Sequence, residues 1–137
     1  MSDRRIAAFF YGLFMDVEIL RSKGLDPKEA VPAHVAGFAL RIGDRATLVV
    51  DSASAAHGVL VLLTHEEVEK LYSEESVRAY KPEAVIAVRD DGRQVPALCF
   101  NLVNAPSEDS KNPVYASKLR DLAARLRLPA DYIAPIR

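Results

Sequence analysis

Apolar runs of strand length, each ended by a turn signal, recur along this chain and constrain its fold more than any other feature. Ile6 to Tyr11 reads as a buried strand. Val35 to Ile42 and Thr47 to Val50 flank Gly43-Asp44-Arg45, which supplies a turn. Asp51 to His57 is small and polar and reads as a loop, and Gly58 to Leu63 is another apolar run. Ala84 to Val88 and Val95 to Leu102 flank Asp90-Asp91-Gly92-Arg93, a hairpin signal. Short strands joined mostly by hairpins must hide their edges, and a closed or strongly curled sheet does so.

Helix signals punctuate the strands. Asp16 can cap a short helix that Gly24 ends. Asp26-Pro27-Lys28-Glu29 is a second start signal, and Pro32 limits it to about one turn. Thr64-His65-Glu66-Glu67 is a capping box, after which Val68, Leu71 and Tyr72 share one helical face until about Ser73. Pro113 opens the last helix, whose buried stripe is Tyr115, Leu119, Leu122, Ala123 and Leu126. Pro129 stops it, and Ala130 to Ile133 forms a short terminal turn. The expected fold class is α+β: a small, mostly antiparallel β-barrel, closed or strongly curled, flanked by helices. One domain spans residues 1–137.

Charge and composition narrow the function. The formal net charge is -1 and no long basic block occurs, so no nucleic-acid partner is expected. Arg120, Arg125 and Arg127 read as the solvated face of the last helix. The single cysteine, Cys99, excludes an intramolecular disulfide and reads as a buried structural thiol. Arg4 and Arg5 before Ile6 to Met15 mimic a secretory signal, but the run lacks a small-residue cleavage site and Asp16 and Glu18 follow at once. It is also too short to span a bilayer, so a cytoplasmic protein with no membrane partner is expected. His34, His57 and His65 lack metal-ligand spacing, and no phosphate loop is present. No metal or organic cofactor is called for. Monomer and homodimer are both open.

Two segments carry chemistry. In Phe10-Tyr11-Gly12-Leu13-Phe14-Met15 an apolar strand runs into a glycine and then a short helix, a turn whose N–H groups can hold an anion. Glu74 and Glu75 lie just beyond the capped helix, with Tyr80 following. An anion cradle plus one acid/base carboxylate is enough for an intramolecular acyl transfer. Taken alone, each residue also has an ordinary reading. Tyr11, Tyr80 and Tyr115 fit core or rim aromatics, and glutamates after a helix are mostly surface groups.

The order of five landmarks resembles the gamma-glutamylcyclotransferase-like (AIG2-like) family along nearly the whole chain. They are Tyr11-Gly12-Leu13-Phe14-Met15; Gly37-Phe38-Ala39-Leu40; His57-Gly58-Val59-Leu60; Leu71 with Glu75 and Tyr80; and Pro113 and Tyr115 with Leu128-Pro129 and Tyr132. The resemblance implies a small barrel with peripheral helices. It implies release of 5-oxoproline from a small-molecule substrate, a gamma-glutamyl amine or gamma-glutamyl amino acid. Glu75 is then the acid/base, in a buried setting that favours its neutral form. Tyr11, Gly12, Leu13 and Phe14 hold the substrate, and Tyr80 and Tyr115 line the pocket. The chain departs from the family at Tyr72, where aspartate is usual, at Ser76, where glycine is usual, and at Leu13, where a small polar residue is common. Those departures keep two alternatives open: a non-catalytic small-molecule binder on the same scaffold, and a related amide or acyl transformation of another substrate.

Overall fold

The computed structural model describes residues 4–137, so the first three residues of the expected domain lie outside the described residues. Five strands form a closed barrel in the order β1-β3-β2-β4-β5. They are β1 (Arg5–Phe10), β2 (Lys28–Ile42), β3 (Ala46–Thr64), β4 (Tyr80–Arg89) and β5 (Gln94–Leu102). The helices are α1 (Val17–Ser22), α2 (His65–Tyr72), α3 (Pro113–Arg125) and α4 (Ala130–Ile133), and a 3-10 turn covers Leu13–Met15. All pairings are antiparallel except β1 with β5, which closes the ring at Ala8↔Leu98 and Phe9↔Cys99.

Ala8, Phe9 and Phe10 are all buried, which explains why β1 reads as a continuous apolar run without alternation. Opposite it on β3, Gly58 lets the backbones touch: a Cβ there would lie 2.1 Å from the Phe10 carbonyl oxygen. The core is filled from every strand and from α1, α2 and α3, with Phe9, Leu20, Leu63, Val61, Val35, Leu71 and Leu119 almost wholly buried.

Two segments differ from the sequence reading. Asp26 to Glu29 does not start a helix; β2 begins at Lys28 and carries Pro32 inside it, paired with Val59. Glu29 sits at φ 51, and the register shifts between Lys28 and Val31, so this stretch is a bulge that ends before the proline. The Asp26 amide is instead bonded by the Glu67 carboxylate at 2.6 Å. Asp51 to His57 is likewise no separate loop, for β3 runs through it. The polar residues form a bulge there: Ala36 pairs Ala55 while Phe38 pairs Val50, and Asp51 bonds the Ala53 amide and the Ser54 hydroxyl.

β2 meets β4 only at Ala33↔Arg89 and His34↔Val88, so the rest of the β2–β3 hairpin projects as a ribbon. Two buried polar side chains tie the ribbon to β5. Thr47 Oγ1 accepts from the Leu102 amide at 2.9 Å, and Asn101 Oδ1 accepts from the Leu48 amide at 3.3 Å. Burial without such partners would cost free energy, so these bonds fix where the ribbon's turn lies.

Candidate active site

Four local structures converge at one end of the barrel. The first is the turn after β1. Met15 and Asp16 amides bond back to the Gly12 and Leu13 carbonyls at 3.0 and 3.1 Å. The amides of Leu13 and Phe14 therefore have no partner within the turn. Gly12 is required by close approach, because a Cβ there would meet the Tyr115 hydroxyl at 2.7 Å. The second is the start of α3. Asn112 caps that helix through the Tyr115 amide at 3.1 Å and donates to the Gly43 carbonyl at 3.1 Å, so one residue sets both Tyr115 and the ribbon's turn. The third is the end of α2, held at its other end by the capping box at Thr64 and Glu67. It delivers Tyr72, whose ring stacks on Phe100 at 4.0 Å and 18°. The fourth is the end of α1, where Gly24 at φ 85 turns the chain just after Lys23.

These elements enclose a cavity of about 390 Å3, within the range of small-molecule sites, roughly 300–1,000 Å3. Its wall is mostly aromatic: Phe9, Phe10, Tyr11, Phe14, Tyr72, Tyr80, Phe100 and Tyr115. Gly12, Leu13, Ala46, Ser76 and Val77 complete it, with Lys23, Asp44 and Arg45 as its charged residues. Phe14 packs edge-on against Phe10 at 5.9 Å and Tyr72 at 6.1 Å, which joins the turn to α2. Tyr11 donates to the Phe100 carbonyl at 2.7 Å, and Tyr80 donates to the Ala46 carbonyl.

The phenols are neutral and stay so. Burial pushes Tyr11, Tyr72, Tyr80 and Tyr115 all well above the ordinary tyrosine value. For Tyr115 a hydrogen bond with the Leu13 backbone works against burial, and for Tyr80 the charge of Arg45 does so. The wall is thus a set of neutral hydroxyl dipoles and apolar rings.

Of the residues singled out in the sequence, Tyr11, Gly12, Leu13, Phe14, Tyr80 and Tyr115 share this cavity. Glu75 does not join them. It is exposed and lies outside the wall, although Ser76 and Val77, which follow it directly, are in the wall. The buried setting expected for its acid/base role is therefore absent from this arrangement. Its neighbour Glu74 is half-buried and bonds Lys23 Nζ through both carboxylate oxygens at 2.7 Å. Sequence reasoning missed Lys23, Asp44, Arg45 and Phe100 as cavity residues. It placed Tyr72 on the helix face, and only the departure from the family aspartate marked the position. Asp44 and Arg45 were visible as a turn, but nothing local says that a turn will reach a cavity on another hairpin.

The closed barrel thus carries an aromatic cavity of small-ligand size, lined by turn amides and neutral phenols. The model of the family described as gamma-glutamyl cyclotransferase, AIG2-like, matches residues 8–119, and the chain belongs to this family. No curated protein matches the chain in sequence. Among solved structures, a gamma-glutamyl cyclotransferase superposes with a TM-score of 0.83 at 17% identity, covering 98% of this chain and 89% of that one. An uncharacterized protein from Homo sapiens gives 0.79 at 18% identity, covering 97% and 88%. YkqA from Bacillus subtilis gives 0.76 at 24% identity, with 95% of this chain covering 52% of that one. At these identities the likeness is one of fold. The barrel and flanking helices read from the sequence are the architecture observed.

Proposed function

We propose that the protein is a gamma-glutamyl cyclotransferase-type enzyme that releases 5-oxoproline from a gamma-glutamyl amine or gamma-glutamyl amino acid. The observation that carries this reading is the gathering of the Tyr11-Gly12-Leu13-Phe14 turn, Tyr80 and Tyr115 around one cavity of small-molecule size, in a chain of this family. The reaction needs little from the protein. The substrate's α-amine attacks its own γ-carbonyl carbon, a C–N bond closes the five-membered lactam, and the bond to the departing amine breaks. Holding the substrate bent in a cavity of this size brings amine and carbonyl together. The Phe14 amide, and the Leu13 amide with the Tyr115 hydroxyl beside it, serve the α-carboxylate or the developing oxyanion.

One proton must leave the attacking ammonium and one must reach the departing nitrogen. In this reading Glu75 carries both in turn, acting from the Ser73-to-Ala79 segment at the cavity's edge and turning inward when substrate fills the site. The test is to measure binding and turnover together in Glu75→Gln. The variant should bind a gamma-glutamyl compound while 5-oxoproline release falls at least about 100-fold, the usual scale for a lost acid/base group. Full release by Glu75→Gln would remove Glu75 from the chemistry.

Two observations favour a second reading, a binder that does no chemistry. Glu75 stands outside the wall, and Tyr72 puts a ring where the family places a carboxylate. A ligand that binds wild type and is recovered unchanged would select that reading.

A further inference from the structure

We propose that Lys23 selects substrates whose departing amine carries a free carboxylate, and that Glu74 is the counter-ion which that carboxylate displaces. This rests on the reading that the ligand is a gamma-glutamyl compound and adds what lies at its far end.

The charges of the cavity are confined to Lys23, Asp44 and Arg45; the rest of its wall is aromatic, aliphatic or hydroxyl. A charged end of a ligand therefore meets either the backbone amides of the turn or one of these three side chains. With the α-carboxylate on the turn amides, one of the two roles given them above, the cations are left for a second anion. Asp44 and Arg45 are adjacent and exposed, and each offsets the other's charge toward an incoming group. Lys23 is differently placed. Its ammonium lies 5.9 Å from the centre of the Phe14 ring, a wall residue, and at 2.7 Å from each oxygen of Glu74. It already holds a carboxylate through both oxygens at the edge of the cavity, which is the contact a ligand carboxylate would make. Nor is the existing pair locked: the two side chains are 30% and 38% exposed, and ion pairs so open to water are weakly held. Exchanging Glu74 for a ligand carboxylate keeps the lysine paired and returns Glu74 to solvent. It costs little, and it rewards only ligands that bring the carboxylate.

A matched pair of compounds isolates the effect. Gamma-glutamylalanine and gamma-glutamylethylamine differ only in the carboxylate on the departing amine. Calorimetric titration of each into the full chain gives two affinities without requiring turnover. The expected result is that wild type binds gamma-glutamylalanine about tenfold more tightly, the scale of one charge-assisted hydrogen bond. That ratio should collapse towards one in Lys23→Gln and persist in Lys23→Arg and in Arg45→Gln. Glu74→Gln should tighten gamma-glutamylalanine binding, because the competing anion is gone. Equal affinities in wild type, a ratio that survives Lys23→Gln, a ratio lost in Arg45→Gln instead, or binding of neither compound would each overturn the proposal. Measuring 5-oxoproline in the same samples separates the two ideas. Carboxylate-dependent binding without release overturns the enzyme reading alone. Release without a Lys23-dependent ratio overturns this inference alone.

Discussion

At Gly12 one methyl group competes with the Tyr115 hydroxyl for the same space, since a Cβ would stand 2.7 Å from it. Gly12→Ala must push Tyr115 off the turn, and overpacking of that kind costs about 1–3 kcal/mol. Urea titration should show a modest loss of stability, together with a loss of affinity for gamma-glutamyl compounds of about tenfold or more. The double variant with Tyr115→Phe, which removes the clashing oxygen, should recover part of the stability. An alanine variant with unchanged affinity would mean that the turn does not hold the ligand. The residues of this turn were legible because a strand ending in glycine advertises exposed amides. Glu75 was legible only as a position in a family pattern. Nothing in Leu71 to Tyr80 states that the segment after α2 leaves it facing solvent while the next two residues line the cavity.

Elements were legible where chemistry is local. Asp16, Thr64 and Asn112 each accept from a backbone amide at the start of a helix, and two of those starts were marked by the capping residue itself. The failures are cases where a partner strand overrode a local signal. Asp26-Pro27-Lys28-Glu29 resembles a helix start, yet pairing of Lys28 with Leu62 on β3 and the tie from Glu67 to the Asp26 amide hold it out of a helix. The polar stretch after Val50 bulges but does not leave the strand, because its ends remain paired with β2. α4 offers a test at this scale. Tyr132 packs on His57 at 4.9 Å, and His57 faces His34 across the ribbon at 5.3 Å. Burial first, then the His34 charge, hold His57 below its ordinary value of 6.5, with Asp90 opposing. A histidine kept neutral by folding binds fewer protons than in the unfolded chain. Its contribution is present above about pH 6.5 and is lost as pH falls towards the lowered value. Melting temperature should drop between about pH 7.5 and 5.5, and the drop should shrink in His57→Gln. An identical pH profile in that variant would show that the histidine pair has no such effect.

On the scale of the whole molecule, the barrel closes through two short seams, β1 with β5 and β2 with β4, between two long hairpins. Closure was foreseeable because exposed edges had to be hidden. The order of strands and the projection of the ribbon over the cavity were not, because they depend on pairings distant in sequence. Cys99 sits at one seam, paired with Phe9, fully buried, its thiol pushed up to about 12 by burial. Labelling by a thiol reagent near neutral pH should therefore track opening of the barrel and accelerate in urea together with loss of structure. Fast labelling of the folded chain would mean that this seam opens locally. Whether the barrel cyclises its ligand is read from 5-oxoproline release from a panel of gamma-glutamyl amines, gamma-glutamyl amino acids and glutathione, with wild type and Glu75→Gln side by side. Release from at least one member by wild type and its loss in the variant are expected; no release from any member, with ligand recovered intact, would contradict cyclisation.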